Sequence, residues 1–121
     1  MKEEEGMKKV YFTITGIWFY YGSEIFRKKD KVRLVKEPDN KHDSEAIRVE
    51  KKGLGKVGYV ANSPHTVLGE SFSAGRLYDR IGKKAKGTVI AVTERGIVCK
   101  LNEEKEKKQE EKGAEDENQR L

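Results

Sequence analysis

Several residue types are scarce in this chain, and their scarcity excludes some classes of protein. Among 121 residues it holds one cysteine, two histidines and two prolines. An internal disulfide is therefore excluded, and no Cys/His group has the spacing of zinc ligands. No apolar run reaches the ~18–20 residues of a membrane span, and the stretch Met1–Glu5 does not resemble a secretory signal. These absences predict a soluble, cytoplasmic protein that holds no metal or cofactor.

Catalytic motifs are scarce as well. The glycines form neither a G-x-G-x-x-G sequence nor a phosphate-binding loop, and neither His42 nor His65 belongs to a recognisable catalytic motif. A pairing of Cys99 with His42 stays open from sequence alone. Cys99 lies in an apolar strand, however, where a small buried thiol is the usual finding. We therefore expect a protein that is not an enzyme.

Charge is plentiful but unevenly distributed. Charged residues make up 39% of the chain and hydrophobic residues 35%, proportions that approach those of disordered proteins. Residues 102–121 hold eight acidic and five basic residues, which leaves residues 1–101 with a net charge of +8 against +5 for the whole chain. We expect residues 1–8 and 102–121 to be disordered and residues 9–101 to form one small basic domain. Such a domain favours polyanionic partners, including nucleic acid.

The apolar pattern predicts strands. Lys9–Trp18 alternates with a period of two, which places Phe12, Ile14 and Trp18 on one side, and Gly16 within it indicates a bulge or sharp bend. Further strands are predicted at Val32–Lys36, Glu45–Glu50, Lys56–Val60, Lys86–Thr93 and Gly96–Leu101.

Two short helical stretches lie between the fourth and fifth strands. Asn62-Ser63-Pro64 has the sequence of a helix start and Gly69 would end that helix, while Ser73–Gly82 has the spacing of an amphipathic helix. Six short strands with this insertion predict an all-β fold, a six-stranded barrel of OB or SH3 type with one or two short helices before the last hairpin.

Four consecutive aromatic residues, Trp18-Phe19-Tyr20-Tyr21, follow the first predicted strand. Neighbours in a strand point to opposite faces, and a barrel this small cannot bury both pairs of rings. One or two rings should therefore face solvent or a ligand, and exposed rings on a basic barrel can stack on unpaired bases. The alternative is that a helix or the C-terminal tail covers them.

The segment Glu37–Ile47 is dense in residues that form turns. Asp39, Asn40 or Asp43 can turn the backbone through side-chain hydrogen bonds, which predicts a structured loop. Basic residues near this loop have the charge to follow phosphates, or else form a solvated face. They are Lys28, Lys29, Lys31, Arg33, Lys36 and Lys41.

Three stretches together resemble a known family. They are Gly16–Tyr21, then Val32–Val49 with the pattern P-x-N-x-x-D-x-x-A-I, and then Val57-Gly58-Tyr59-Val60. This combination resembles the HIRAN domain, in the form of a stand-alone, prokaryote-like module, and it covers residues 10–60 well and residues 61–101 more loosely.

The resemblance implies an OB-like barrel that binds single-stranded DNA, in some members at the 3′-hydroxyl end, with a role in DNA repair or processing. Tyr20 would stack on a terminal base, and Asp43 would accept a hydrogen bond from the terminal hydroxyl, with an Asx turn as the alternative role for Asp43. The expected DNA-binding residues are Phe19, Tyr20, Tyr21, Arg33, Lys36, Asn40, Lys41, His42, Asp43 and Tyr59.

Two positions depart from the family pattern. Phe19 stands where eukaryotic end-binding members have an arginine, and His42 stands where they have an aromatic residue. These departures and the acidic tail favour an alternative, a protein-interaction module on the same barrel with little or no specific DNA binding. If DNA is bound, we expect any helicase or nuclease to be a separate partner.

Overall fold

A computed structural model of the chain describes residues 9–103, which form a closed barrel of six antiparallel strands. The strands are β1 (Tyr11–Thr15), β2 (Lys31–Lys36), β3 (Ile47–Lys51), β4 (Gly55–Val60), β5 (Lys84–Thr93) and β6 (Gly96–Leu101). Around the barrel their order is β1-β4-β3-β2-β5-β6. An α-helix, α1 (Ala74–Tyr78), precedes β5, and a 3₁₀-helix (Ile17–Phe19) follows β1.

This architecture confirms the predicted all-β barrel of six strands with a short helix before the last hairpin. The expectations for residues 1–8 and for nearly all of the C-terminal tail, residues 104–121, lie outside the described residues.

The core follows from the alternation of the strands. Val32 and Leu34 of β2 and Ile47 and Val49 of β3 are buried, as their period of two predicts, so the charged residues between them point outward. The interior is narrow. A Cβ added at Gly87 of β5 would lie 2.7 Å from Cζ of Phe12, so β5 passes the Phe12 ring only because it carries a glycine there.

The first strand ends earlier than its sequence pattern predicts. β1 stops at Thr15 because Gly16 adopts φ = 71°, a left-handed conformation that does not continue a strand. The chain then enters the 3₁₀-helix, in which Ile17 is buried and Trp18 is 70% exposed. The bend at Gly16 is confirmed, but the prediction that Trp18 shares the inward side with Phe12 is wrong, because the bend resets the alternation.

The helical predictions were also too long. Asn62–Gly69 forms turns rather than a helix. The backbone N–H groups of Thr66 and Val67 both donate to the Ser63 carbonyl oxygen, at 2.9 and 3.0 Å. The N–H of Leu68 does not continue this pattern, because it donates to the Thr13 hydroxyl.

The second helix is the five-residue α1, with Ser73 as its N-cap accepting from the Arg76 N–H at 3.3 Å. It ends at Tyr78 rather than at Gly82, because β5 begins at Lys84 and the intervening residues are needed to turn the chain into the barrel.

Candidate nucleic-acid interface

A polar network centred on Glu37 lies on the outward face of β3 and β4, just after the end of β2. Glu37 Oε1 accepts hydrogen bonds from the Tyr59 hydroxyl and from Asn40 Nδ2, both at 2.9 Å. Its other oxygen lies 3.3 Å from Arg48 Nη1 and 3.7 Å from Lys56 Nζ. Arg48 and Tyr59 are direct partners across β3 and β4. The sheet register therefore gathers these side chains and holds the Asn40 loop against them.

The ionisation of this network is stable near neutral pH. Burial pushes the pKa of Glu37 upward, but hydrogen bonds from Asn40, Tyr59 and Arg48, together with the charge of Lys56, hold its pKa below the usual value. The pKa of Lys56 is raised, chiefly because its ammonium group donates to the Tyr59 hydroxyl at 2.8 Å. A fixed positive charge is thus held at the start of β4.

Lys56 lies between two aromatic rings. Its Nζ is 5.8 Å from the centroid of the Tyr20 ring and 4.9 Å from the centroid of the Tyr59 ring, within the range of a cation–π interaction. Tyr20 reaches this position because the chain leaves β1 at Gly16 and turns through the 3₁₀-helix. The early end of β1 is therefore what brings the aromatic run to β4.

The aromatic cluster, defined here as Trp18, Phe19, Tyr20 and Tyr21, is open to solvent among the described residues. The four side chains are 70%, 87%, 40% and 48% exposed, in that order. Tyr21 is anchored, since its hydroxyl donates to the Leu54 carbonyl oxygen at 3.2 Å. Trp18 and Phe19 present most of their surface to solvent, whereas Tyr20 and Tyr21 are partly covered, so all four rings keep some surface available to a ligand.

The loop after β2 is organised by two side chains. Asn40 Oδ1 accepts from the backbone N–H groups of His42 (2.8 Å) and Asp43 (3.1 Å), while its Nδ2 donates to Glu37. Asp43 Oδ1 accepts from the Glu45 N–H at 2.9 Å in an Asx turn. The structured loop predicted from sequence is confirmed, and so is the Asx turn at Asp43.

Asp43 also ties the loop to α1. Its Oδ2 accepts from Asn62 Nδ2 at 3.0 Å, and Asn62 Oδ1 accepts from the Gly75 N–H at 2.8 Å. A carboxylate can accept about four hydrogen bonds, and Asp43 is only half-buried. It therefore retains acceptor capacity for a hydroxyl of a bound ligand.

Arg33, Lys41 and His42 lie at the margin of the network. Arg33 Nη2 is 3.4 Å from Glu50 Oε1, and the other oxygen of Glu50 accepts from Arg48 Nε at 2.6 Å. The side chains of Lys41 and His42 are exposed on the loop. Arg33 is thus joined to the network through Glu50, whereas Lys41 and His42 present exposed side chains to a ligand.

Lys36 was expected to bind DNA, but its side chain contacts the segment after α1 and not the network around Glu37. Its Nζ donates to the Ile81 carbonyl oxygen at 2.9 Å and lies 4.2 Å from the centroid of the Tyr78 ring. These contacts fasten the end of β2 to the segment after α1. The same ammonium group is therefore only partly available to a phosphate.

Several members of the site were missed from sequence: Glu37, Arg48, Glu50, Lys56 and Asn62. The outward orientation of Arg48 and Glu50 could have been predicted, because they alternate with the buried residues of β3. No sequence signal indicated the position of Lys56. A bulge between Val49 and Glu50 places Glu50 opposite Lys56, and a bulge depends on the pairing of two strands, which the pattern of one strand does not reveal.

The one thiol of the chain lies away from this site. Cys99 is fully buried in β6, and burial raises the pKa of its thiol to about 12, so the reactive thiolate is not formed near neutral pH. His42 is exposed on its loop, so the Cys99–His42 pairing left open by the sequence is wrong. Within residues 9–103, no group of His, Cys, Asp and Glu is placed to hold a metal ion. In the same residues, no helix is long and apolar enough to cross a membrane.

A closed barrel with an exposed aromatic cluster beside a polar loop is the form of a small binding domain. The chain matches the family model described as HIRAN domain over residues 7–106. It belongs to the HIRAN domain family, which is known as a family of nucleic-acid-binding modules and not of catalysts. The resemblance found in the sequence is therefore confirmed.

Solved structures share the fold. The chain is similar to a protein from Lactobacillus plantarum, with a TM-score of 0.54 and 24% identity over 78% of this chain and 93% of that one. It is also similar to the HIRAN domain of human HLTF, with a TM-score of 0.51 and 18% identity over 77% of this chain and 74% of that one. A search of proteins with curated descriptions returned no match.

Proposed function

We propose that this domain binds single-stranded DNA, with bases stacked on the aromatic cluster and the 3′ end held at the Asn40–Asp43 loop. One observation carries the proposal. Lys56 stands between the Tyr20 and Tyr59 rings, and a continuous series of contacts runs from it through Tyr59, Glu37 and Asn40 to that loop. Base-stacking rings, a fixed cation and a hydroxyl acceptor are thus parts of one surface.

Stacking supplies the affinity in this proposal. A base on an exposed aromatic ring contributes ~1–3 kcal/mol, and the contribution tolerates any sequence because every base has a flat face. Tyr20 is the ring best placed for it, since it lies beside Lys56 and the contacts that lead from Lys56 to the Asn40–Asp43 loop. Phe19 and Tyr21 form the walls of the same surface.

Asp43 supplies end selectivity. A carboxylate repels a DNA backbone, so it favours binding only where it meets a hydrogen-bond donor. A strand that ends in a 3′-hydroxyl brings such a donor, whereas a 3′-phosphate brings further negative charge. The exposed His42 side chain next to Asp43 can add a stacking or hydrogen-bonding contact to the last nucleotide.

We propose a role in DNA repair or processing. A domain that binds a strand end would act by recruiting another protein to that end or by protecting it. A separate helicase or nuclease is the partner that such a module serves.

A protein-interaction module is the second candidate. Trp18 and Phe19 are the most exposed rings of the cluster, and exposed aromatic residues are also typical of protein interfaces. This alternative predicts DNA binding that is weak, purely electrostatic and indifferent to the loss of the Tyr20 ring.

Fluorescence anisotropy with a labelled strand of about 10 nucleotides, a length within the usual site size of an OB barrel, tests the proposal. Tyr20→Leu should weaken binding about 5- to 150-fold, the equivalent of one lost base stack. Tyr11→Leu is the matched control, because Tyr11 is a half-buried tyrosine of β1 outside the aromatic cluster.

The same strand is measured with a 3′-hydroxyl, with a 3′-phosphate and as a blunt duplex. A clear preference for the 3′-hydroxyl that Asp43→Ala abolishes supports end binding. Equal binding of all three forms, with no effect of Tyr20→Leu, would reject the proposal and favour the protein-interaction module.

A further inference from the structure

We propose that a second surface, a groove over the paired strands β2 and β5 and next to Asn102 and Glu103, binds the sugar-phosphate backbone of the strand whose bases stack on the aromatic cluster. This inference rests on the proposed function and extends it to phosphates. The groove has a volume of about 610 Å³; Arg33, Lys84 and Lys86 supply its cations, and Val35 and Ala85 are among its apolar lining residues. We call it the basic groove.

The cations near the aromatic cluster are mostly neutralised within the protein. Arg48 bonds to both Glu37 and Glu50, at 3.3 and 2.6 Å, and Lys56 lies 3.7 Å from Glu37. Positive charge that already has a carboxylate partner contributes little to attracting a phosphate. Lys41 is exposed on the loop, but Arg48 and Lys56 already face carboxylates, so a bound backbone gains further counter-charges from another surface.

The basic groove provides that charge. Within the part of the chain that the structure describes, neither Lys84 nor Lys86 has a carboxylate within 4.0 Å. Two acidic residues also line the groove. Glu50 is already shared by Arg48 and Arg33, and Glu103 stands at the C-terminal end of the described chain.

A smaller groove continues the surface beyond Ala85. It has a volume of about 190 Å³ and adds the guanidinium of Arg80, with Leu101 among its apolar lining residues. The two grooves share Ala85, Asn102 and Glu103. Together they form a path with cations along its length.

The strand register connects this path to the aromatic cluster. Lys56 of β4, Glu50 of β3, Arg33 of β2 and Lys86 of β5 are successive partners in one row across the barrel. Neighbouring strands lie about 4.8 Å apart, so the row spans roughly 14 Å from Lys56 to Lys86. A strand stacked beside Lys56 can lay its next few phosphates along this row and into the groove.

The chemistry of the lining fits a nucleic-acid backbone. Guanidinium and ammonium groups bind phosphate oxygens, and the apolar surfaces of Val35 and Ala85 suit the carbon atoms of a sugar. The competing hypothesis is that acidic residues from Glu103 onward fill the groove instead of DNA. The test below separates the two.

The test measures how binding of the same labelled single strand falls with salt, using the full chain. The double variant Lys84→Gln/Lys86→Gln is compared with Arg27→Gln/Arg95→Gln, which removes the same charge from exposed positions outside the basic groove. Each lost phosphate contact lowers the slope of log K against log salt by about 0.7 for a single strand. We expect the groove variant to lose about 1.4 of slope relative to its control.

Tyr20→Leu should weaken binding at every salt concentration without changing the slope. A groove variant that matches Arg27→Gln/Arg95→Gln in slope and affinity, while Tyr20→Leu still weakens binding, overturns the groove and spares the proposed function. A groove variant that binds more tightly than the wild type also overturns it, since the groove would then hold the acidic stretch of the chain. Binding that never depends on Tyr20 overturns both.

Discussion

Replacing Asn62 with alanine separates the two roles that Asp43 can have, support of its own loop and contact with a strand end. In the native structure Asn62 Nδ2 donates to Asp43 Oδ2 at 3.0 Å, and Asn62 Oδ1 accepts from the Gly75 N–H at 2.8 Å. The substitution removes both hydrogen bonds and leaves Asp43 and Gly75 without these partners.

The expected cost follows from the partners. A neutral hydrogen bond contributes ~0.5–1.5 kcal/mol and one to a charged group ~1.5–3 kcal/mol. Since Asn62 and Asp43 are half-buried and water replaces part of what is lost, the low ends apply. Asn62→Ala should therefore lower the free energy of unfolding by about 2 kcal/mol.

Urea unfolding measures this loss. With a denaturant slope of about 1–3 kcal/mol per molar, the midpoint should fall by roughly 0.7–2 M. Asp43→Ala should cost a similar amount, because it removes the bonds to Asn62 and to the Glu45 N–H. The double variant should be less destabilised than the two single changes added together, because both remove the same bond.

Binding then separates the two roles. If Asp43 contacts the strand end, Asn62→Ala keeps the preference for a 3′-hydroxyl while Asp43→Ala abolishes it. An unchanged urea midpoint in Asn62→Ala would refute the claim that the hydrogen bonds of Asn62 stabilise the loop. Loss of the preference in Asn62→Ala as complete as in Asp43→Ala would refute the direct contact.

Three further predictions concern the barrel, its acid stability and its tail. Gly87→Ala would bring a Cβ within 2.7 Å of the Phe12 ring, and such overpacking should lower the free energy of unfolding in urea by ~1–3 kcal/mol. The hydrogen bond from Lys51 is the main reason why the pKa of Asp30 lies below its ordinary value of 3.8. This hydrogen bond stabilises the folded protein above pH 3.8, and that stability is lost as the pH falls through the lower pKa that Asp30 has in the folded state. The urea midpoint should therefore fall less between neutral pH and about pH 3 in Lys51→Met than in the wild type. Residues 103–121 carry eight acidic and five basic residues, so this tail can compete with DNA for the basic domain. Deleting it should tighten DNA binding, measured by anisotropy, at low salt but not at high salt, where charge is screened. Unchanged affinity at low salt would reject competition by the tail.

The fold was largely predictable because most of its strands have one buried face. In β2 and β3 the alternation of Val32, Leu34, Ile47 and Val49 with charged residues fixes which side faces inward. The pattern failed at the end of β1. There Gly16 turns the chain, and a period of two cannot be extended across a left-handed residue.

The aromatic run and the turn-forming loop of the candidate site were predictable from sequence, but the network around Glu37 and its contacts were not. The spacing of Asn40 and Asp43 predicted a structured loop, and the aromatic run predicted exposed rings. The placement of Lys56 between Tyr20 and Tyr59 depends on the bulge in β3 and on the path of the 3₁₀-helix. The bulge arises from the pairing of two strands, and the contact between Tyr20 and Lys56 joins segments far apart in sequence, so local sequence patterns encode neither.

Trp18 provides the most direct test of whether bases stack on the aromatic cluster. It is the only tryptophan of the chain and is 70% exposed within that cluster, so its fluorescence reports on this surface without any label. Titration with an unlabelled single strand should quench the emission in a saturable way, and Tyr20→Leu should shift the midpoint to higher DNA concentration. Unchanged emission at DNA concentrations where anisotropy shows full binding would place the strand elsewhere on the protein and contradict base stacking on this cluster.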